Sequence, residues 1–212
     1  MVNSIKDCRS YFQLLSKCVQ FLPFEDVERV TEILLHAYEE QRTVFTFGNG
    51  GSAALASHFA CDLGKGTING SQKRFRAIAL TDNVPVMTAW ANDSSYEDIF
   101  AEQFASFAVP EDIAFAISAS GNSANVLNAL RVAKQVGAIT VGLTGFAGGK
   151  MFDLCDACIV VPCDNMQIIE DLHVSVAHSL FTCVRASLSQ DSQDSSSNAA
   201  AGPRLVTRTG TR

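Results

Sequence analysis

Thr43-Val-Phe-Thr-Phe47 is an apolar run. It is followed by the small residues Gly48-Asn-Gly-Gly-Ser52, which open a helix-forming segment, and this transition decides the fold. The arrangement recurs at Ile113-Ala-Phe-Ala-Ile117, followed by Ser118-Ala-Ser-Gly-Asn-Ser123. A strand that passes through small residues into a helix leaves backbone N–H groups unpaired at the positive end of the helix dipole, which suits an anion. The serine hydroxyls add neutral donors. Either loop alone is also typical of a tight turn without a ligand, but two together predict a phosphate held between them.

From residue 43 onward, apolar runs alternate with helix-forming segments. The predicted strands are 43–47, 75–80, 112–117, 139–144 and 157–161. The predicted helices lie near 53–64, 84–91, 96–107, 124–136 and 166–188. Continuous apolar strands are typical of a parallel sheet covered on both faces. The predicted fold class is therefore α/β, a doubly wound five-stranded parallel sheet, which binds ligands at the carboxyl ends of its strands, where both loops fall.

The chain divides by composition into three parts. Residues 1–42 carry apolar residues at helical spacing over 4–20 and 24–42, which predicts a pair of N-terminal helices that belong to the same domain and pack on a neighbouring subunit. Residues 43–188 form the α/β core. Residues 189–212 are rich in serine, aspartate and alanine, so this part is predicted to be a disordered tail.

Composition narrows the class of function. A chain of 212 residues with 47% hydrophobic residues can build one sizeable core. Its formal charge of −6 and lack of a basic stripe argue against direct nucleic-acid binding. No apolar run approaches the roughly 20 residues of a membrane helix, and the N-terminus lacks the apolar segment of a secretory signal. We therefore expect a cytoplasmic protein without a membrane partner.

The seven cysteines form an odd, scattered set that is typical of reduced thiols. Cys155-Asp-Ala-Cys158 has the spacing of a redox pair or half a zinc site. It leads into a predicted strand, however, whereas redox pairs of this kind lie at a helix N-terminus. A functional role for this pair is therefore not favoured.

Titratable side chains cluster on two predicted helices. His58 and Asp62 lie four residues apart and share a helix face. Glu170 and His178 lie eight residues apart on the last helix, about 80° around its axis, which places them towards one pocket. Two imidazoles and two carboxylates could bind a divalent metal of the zinc type, or they could form an acid–base pair that moves a proton. Single residues of this kind are also common on solvated helix faces.

These residues carry a resemblance to a known family. The stretches are Gly48–Asp62 (GNGGSAALASHFACD), Ala91-Asn-Asp93, Ser118–Val126 (SASGNSANV) and Leu143–Lys150 (LTGFAGGK). Together they resemble the sugar isomerase (SIS) domain, most closely its phosphoheptose isomerase branch, over residues 5–188. The resemblance implies a five-stranded parallel sheet and a homotetramer with active sites between subunits.

The resemblance also implies roles for individual residues. The implied substrate contacts are Asn49, Gly50, Gly51, Ser52, Asn92, Asp93, Ser118, Ala119, Ser120, Ser123 and Glu170. The implied metal-binding and proton-moving positions are His58, Asp62, Glu170 and His178, with Asp62 and His178 as the catalytic pair and Zn²⁺ as the expected ion. Asp171 and His173 are expected to face away or to orient their neighbours.

Three positions depart from the family pattern, which has Glu, Gln and Thr where this chain has Asp62, Glu170 and Ala119. Asp62 is one methylene shorter, Glu170 adds a negative charge, and Ala119 lacks a hydroxyl. A displacement of about 1 Å can cost on the order of a hundredfold in rate. The shorter side chain of Asp62 is therefore expected to lower activity unless the backbone brings its carboxylate to the position that the longer side chain would occupy.

The function that the resemblance implies is an aldose–ketose isomerase of heptose biosynthesis, which converts sedoheptulose 7-phosphate to the aldoheptose 7-phosphate through an enediol. The alternative is a SIS-domain protein without turnover, either a sugar-phosphate sensor or a tetrameric scaffold resembling the protein that binds the bacterial replication initiator. The presence of both His58 and His178 favours the enzyme. The changes at Asp62 and Ala119 favour the scaffold or a different sugar phosphate.

Overall fold

The computed structural model describes residues 5–68 and 73–199, with side chains described as far as residue 189. Five strands are present, β1 (Thr43–Gly48), β2 (Arg76–Ala79), β3 (Ile113–Ser118), β4 (Ile139–Thr144) and β5 (Ala157–Val160). The first four helices are α1 (Cys8–Val19), α2 (Phe24–Glu39), α3 (Gly51–Cys61) and α4 (Val84–Asp93). The others are α5 (Ala101–Phe107), α6 (Ala124–Val136), α7 (Gly149–Leu154) and α8 (Met166–Ala199). A π-helical turn (Asp62–Gly66) follows α3, and a 3₁₀ turn (Tyr96–Asp98) precedes α5.

The strands form one parallel sheet in the order β2-β1-β3-β4-β5. The strand order reverses between β1 and β3, where Gly48 lies opposite Ile117. In a doubly wound sheet this reversal opens a crevice at the carboxyl ends of the two strands, and that crevice is the usual ligand site. The glycine loop (residues 48–52) and the serine loop (residues 118–123) both begin there.

Apolar side chains cover both faces of the sheet, as its continuous hydrophobic strands require. On one face, Val44 and Phe115 pack with side chains of α2, α3 and α8 such as Leu34, Phe59 and Leu180. On the other face, β1 and β3 contact α5 and α6 in a cluster that includes Phe45, Phe47, Phe104, Ala116 and Leu130. Burying one such side chain contributes about 1.5–3 kcal/mol. The two layers therefore hold the crevice between β1 and β3 on a rigid base.

The predicted class and all five predicted strands are confirmed, with strand ends that differ by no more than two residues. The predicted helix 96–107 is wrong in detail, because a 3₁₀ turn at Tyr96–Asp98 is separated from α5. Helix α7 was not predicted, since Gly148 and Gly149 in its approach are weak helix formers.

Helix α8 continues to Ala199, beyond the predicted end at 188 and into the segment for which composition predicts disorder. Neither glycine nor proline occurs between 166 and 199, so nothing in the backbone stops a helix that is already anchored on the core. Residues 200–212 of the predicted tail lie outside the described residues. Among the described residues, none of the helices combines the length and apolarity needed to cross a bilayer.

The pair Cys155 and Cys158 packs against the sheet, as its position before β5 predicts. A Cβ at Gly142 would lie 2.8 Å from the sulfur of Cys155 and 2.9 Å from that of Cys158, so the absence of a side chain there makes room for both thiols. The contact with Cys158, together with burial, raises the pKa of the Cys155 thiol well above its usual range. A thiol held protonated is a poor nucleophile, so the geometry favours a packing role.

Candidate functional site

The glycine loop turns β1 into α3 with a backbone that requires glycine. Gly50 has φ +55°, a conformation that residues with a Cβ rarely adopt, and it precedes the first residue of α3 without a side-chain cap. Ser52 is buried, and its N–H donates to the Asn49 carbonyl at 3.0 Å. Within 5–68 and 73–199, no hydrogen bond engages the N–H groups of Gly50 and Gly51. These two donors are available at the positive end of a helix.

The serine loop makes the corresponding turn from β3 into α6. The hydroxyls of Ser118 and Ser123 lie 3.3 Å apart, and Ser118 is buried. The Asn122 amide donates to the Ser120 carbonyl at 2.8 Å and accepts from the Lys150 N–H at 3.2 Å, which fastens the loop to α7. Ser123 precedes α6 in an extended conformation and makes no side-chain cap. The loop therefore presents hydroxyls and a second uncapped helix start.

The two loops lie side by side, as predicted, and are joined by side chains. Asn49 Nδ2 donates to Asn125 Oδ1 at 2.8 Å, and Asn125 Nδ2 donates to Asn49 Oδ1 at 2.8 Å. The Tyr96 hydroxyl donates to Asn49 Oδ1 at 3.0 Å. The N–H groups and hydroxyls of both loops therefore lie at the same crevice.

A titratable triad forms where α3 passes α8. The Nε2 atoms of His58 and His178 are 3.0 Å apart. Asp62 Oδ2 lies 3.2 Å from His58 Nε2 and 3.9 Å from His178 Nε2. Asp62 therefore reaches both imidazoles despite its short side chain. It is the first residue of the π-helical turn, and such turns often occur at functional sites because they redirect a side chain.

The spacing of these three donors fits a shared metal ion. Two ligands bound to one tetrahedral zinc at about 2.0–2.1 Å lie about 3.3 Å from each other. The ligand atoms of His58, Asp62 and His178 all lie within 4.8 Å of one another. Half of each imidazole side chain is exposed, whereas the Asp62 carboxylate is 24% exposed, so a small ion or a substrate has access. Two imidazoles and a carboxylate also provide both states of an acid–base pair.

Glu170, the fourth predicted metal ligand, lies outside this cluster. Its carboxylate lies against the glycine loop, where a Cβ on Gly51 would meet Glu170 Oε1 at 3.4 Å, and among the described residues the clustered donors are the triad alone. The 80° angle places Glu170 and His178 on nearby faces of α8, but eight residues also separate them by a rise of about 12 Å. Helices α3 and α8 run side by side in the same direction. Gly51 and Glu170 are thus neighbours at one end, and His58 and His178 at the other.

The remaining predicted residues lie at the end of α4, in the serine loop and on α8. Asn92 and Asp93 end α4, both exposed, with Asn92 Nδ2 donating to Asp93 Oδ1 at 2.7 Å. Ala119 is buried, and its carbonyl accepts from the Gly145 N–H at 2.9 Å. Asp171 faces α1, where it accepts the Tyr11 hydroxyl at 2.6 Å, a bond that raises the pKa of Tyr11 to about 12.

His173 points into the core rather than into the site. It is 1% exposed, and neither ring nitrogen makes a hydrogen bond of normal geometry within the described residues. Burial lowers the pKa of His173 to about 4, and the nearby Thr144 backbone opposes that shift only in part. His173 is therefore a neutral imidazole on the buried side of α8, near the Thr144 backbone.

Sequence reasoning missed Tyr96 and Asn125 as parts of the site. Asn125 lies in the quoted serine-loop motif and is the second residue of α6. Asparagine is a weak helix former, so its presence at this position could have indicated a role for the side chain. Tyr96 comes between two helices with no local pattern, so only the folded chain shows that it contacts Asn49.

Comparison with known proteins agrees with this geometry. The SIS-domain profile matches residues 10–145. A phosphoheptose isomerase of Aliarcobacter butzleri is 36% identical over 185 residues, which are 87% of this chain and 97% of that protein.

Two solved structures are similar over 84% of this chain and 96% of their own. The phosphoheptose isomerase GmhA from Neisseria gonorrhoeae has a TM-score of 0.78 at 28% identity, and a phosphoheptose isomerase from Francisella tularensis has 0.79 at 29%. The profile spans strands β1 to β4, both loops and α3. The chain therefore belongs to the SIS-domain family, in its phosphoheptose isomerase branch.

Proposed function

We propose that this chain is an aldose–ketose isomerase that interconverts sedoheptulose 7-phosphate and the aldoheptose 7-phosphate. The observation that carries the proposal is the placement of two sites along one pair of helices. Unpaired N–H groups and the Ser52 hydroxyl lie at the start of α3, next to the serine loop, and His58 of the triad lies seven residues further on, about 10 Å along the axis. A sugar phosphate bound by its phosphate at the loops would extend its other end towards the triad.

The phosphate end is held by the loops. The phosphate oxygens accept hydrogen bonds from the hydroxyls of Ser52, Ser118, Ser120 and Ser123. The backbone N–H groups of Gly50 and Gly51 add further uncharged donors. Asn92 and Asp93, exposed at the end of α4, would hydrogen-bond sugar hydroxyls. Such contacts orient the substrate and lower the entropic barrier to reaction.

The triad moves the proton. A base takes a proton from C1 of the ketose, and the electron pair forms the C1–C2 double bond while the C2 carbonyl oxygen gains a proton, which gives the enediol. The proton then returns at C2, and loss of the O1 proton produces the aldehyde. Asp62 and His178 take the base and acid roles, with His58 completing the hydrogen-bonded group.

A divalent ion fits the same three residues, and we propose Zn²⁺ bound by His58, Asp62 and His178. Bound there, the ion would supply Lewis-acid polarisation of the substrate oxygens. Glu170 remains a proposed contact to the substrate, because its carboxylate lies against the glycine loop.

The homotetramer is also part of the proposal. Large aromatic side chains are exposed on α1 and where α2 begins, with Phe12 and Phe21 each 64% exposed and Phe24 57% exposed. Exposed apolar patches of this kind mark interaction surfaces, which supports packing between copies. Seven free cysteines support a reducing, cytoplasmic setting.

A coupled assay with sedoheptulose 7-phosphate, with zinc added or with the protein treated with chelator, tests the function. We expect turnover that Asp62→Asn reduces by a factor on the order of 10²–10⁴, the usual contribution of a general acid or base. Native mass spectrometry should show a tetramer with about one ion per subunit. Binding of the sugar phosphate without turnover in either condition would favour the sensor instead.

A further inference from the structure

One side-chain amide lies where three segments of the site meet. Asn49, in the glycine loop, exchanges two hydrogen bonds of 2.8 Å with Asn125 of α6. Its Oδ1 also accepts the Tyr96 hydroxyl at 3.0 Å from the 3₁₀ turn after α4. Asn49 therefore connects the glycine loop, the serine-loop helix and the segment that follows Asn92 and Asp93.

Asn125 is built into the start of α6 in a way that only an amide permits. It is 3% exposed, and its Oδ1 accepts from the Val126 N–H at 2.9 Å as well as from Asn49. One oxygen thus satisfies an end-of-helix donor, while the Nδ2 group donates across the crevice. A carboxylate could accept both bonds but could not donate to Asn49 Oδ1. The N–H groups of Ser123 and Ala124, at the same helix start, make no hydrogen bond within the described chain.

Tyr96 fixes the third segment. Tyr96 is 57% exposed, so burial does not hold its side chain in position. The hydrogen bond from its hydroxyl to Asn49 Oδ1 does. The same turn is held on α6 by Asn128 Nδ2, which donates to the Glu97 carbonyl at 3.3 Å, and its start is capped by Ser95. The turn is thus attached both to α6 and to the glycine loop.

We propose that Asn125 and Tyr96 are positioning residues for the phosphate site, which act through Asn49 to hold the glycine loop at a fixed distance from the serine loop. The inference deepens the proposed function and rests on it only in that the bound group is a phosphate. Without the amide pair, each loop would keep its own turn geometry. The N–H groups of the two loops would then no longer converge on one anion.

This role predicts a loss of phosphate affinity without a matching loss of chemistry. The triad is held by α3 and α8, and neither Asn125 nor Tyr96 contacts it among the hydrogen bonds of the described residues. Removal of the pair should therefore raise KM and the dissociation constant of inorganic phosphate, with kcat changed far less. A general loss of structure would instead lower kcat and the unfolding temperature together.

The test compares two variants with two matched controls. Asn125→Ala removes a buried amide, and Gln103→Ala removes another, which is 3% exposed and donates to the carbonyls of Leu80 and Ile99. Tyr96→Phe removes a hydroxyl bonded at 3.0 Å, and Tyr38→Phe removes one that donates at 3.0 Å to the Lys73 carbonyl. Calorimetric titration with inorganic phosphate, steady-state kinetics and thermal unfolding are measured on all four.

For Asn125→Ala we expect the phosphate dissociation constant and KM to rise about tenfold to thirtyfold, and for Tyr96→Phe about threefold, as the hydrogen bonds lost imply. Both control variants should bind phosphate as the unmodified chain does, even where their unfolding temperature falls. The proposal is overturned if Asn125→Ala behaves like Gln103→Ala, or if the unmodified chain does not bind inorganic phosphate at all. Phosphate binding that depends on Asn125 in a chain that cannot isomerise the sugar would sink the proposed function and leave this inference standing.

Discussion

The two ends of the α3–α8 pair are built on opposite principles. At the loop end, the donors are backbone N–H groups and short hydroxyls, and the shape is fixed by glycines and by the Asn49–Asn125 pair. At the triad end, three side chains from α3, the π-helical turn and α8 approach one another, and both imidazoles are half exposed. The loop end has its geometry before any ligand arrives. The chemistry of the triad end depends on its protonation and on the ion or substrate bound there. Mutations at the loop end should therefore change phosphate binding, and mutations at the triad end should change kcat.

The largest effect should come from Asp62→Asn, which keeps the size of the side chain and removes its charge. We expect kcat to fall by a factor on the order of 10²–10⁴ because a general acid or base contributes that much. The dissociation constant of inorganic phosphate should change less than about twofold, since Asp62 lies about 16 Å further along the helix axis than the first residue of α3. Steady-state kinetics and calorimetry give the two numbers.

Asp153→Asn on α7 is the control, as an exposed carboxylate outside both ends, and should leave both quantities unchanged. Parallel losses of kcat and phosphate affinity in Asp62→Asn would show that the two ends are not separable.

Gly121→Ala should break the loop end. Gly121 has φ +62°, and a Cβ there would lie 2.0 Å from the Gly148 carbonyl oxygen, so strain and overlap add. We expect the free energy of unfolding to fall by about 3 kcal/mol, the sum of a strained backbone and an overpacked contact. Phosphate affinity should fall with it, because the serine loop must move. Chemical denaturation and calorimetry measure both.

Gly64→Ala is its matched control, because the added Cβ would meet nothing within 4 Å and the residue has no positive φ. Its stability should be unchanged or slightly higher. An equal loss in both variants would mean that the contact with Gly148 does not determine the shape of the loop.

Helix α8 carries two histidines in opposite environments. His178 belongs to the triad and is half exposed, whereas His173 is buried. The folded-state pKa of His173 is lowered to about 4 from an ordinary 6.5, so the folded protein binds its proton less readily than the unfolded chain. The contribution of neutral His173 to stability is complete above pH 6.5 and is lost as the pH falls from 6.5 to about 4. The loss amounts to about 3 kcal/mol.

Urea unfolding between pH 7 and 4 checks this expectation. His173→Leu should flatten the decline over that range, whereas His178→Gln should leave its slope in place. A decline that is equally steep in His173→Leu would assign the acid sensitivity to other groups.

The sequence predicted the loop end better than the triad end, for a physical reason. Parallel strands that finish in small residues must place their loops at one edge of the sheet, so the adjacency of the glycine and serine loops follows from topology. Helical periodicity gives the face of a residue but not its height. The angle and the family resemblance both group Glu170 with His58, Asp62 and His178, whereas the rise along α8 brings its carboxylate against the glycine loop. The contact of Tyr96 with Asn49 joins segments far apart in sequence and has no local signal.

The smallest predicted effect tests the position of Glu170 directly. Glu170→Gln removes a negative charge whose carboxylate faces Gly51, where the proposed phosphate would bind. A single charge near a surface site is worth about 1 kcal/mol, so phosphate should bind on the order of fivefold more tightly. The gain should shrink as salt is raised, because exposed charges are screened, and Glu28→Gln on α2 should show none.

If Glu170 instead belonged to the triad, its replacement would change zinc content and leave phosphate affinity alone. Native mass spectrometry and phosphate calorimetry on Glu170→Gln therefore separate the two positions by opposite outcomes. A tighter phosphate with the same ion content would mean that this carboxylate weakens anion binding at the glycine loop. Its negative charge would then set how strongly the chain holds the phosphate end of its substrate, while the triad keeps its own geometry.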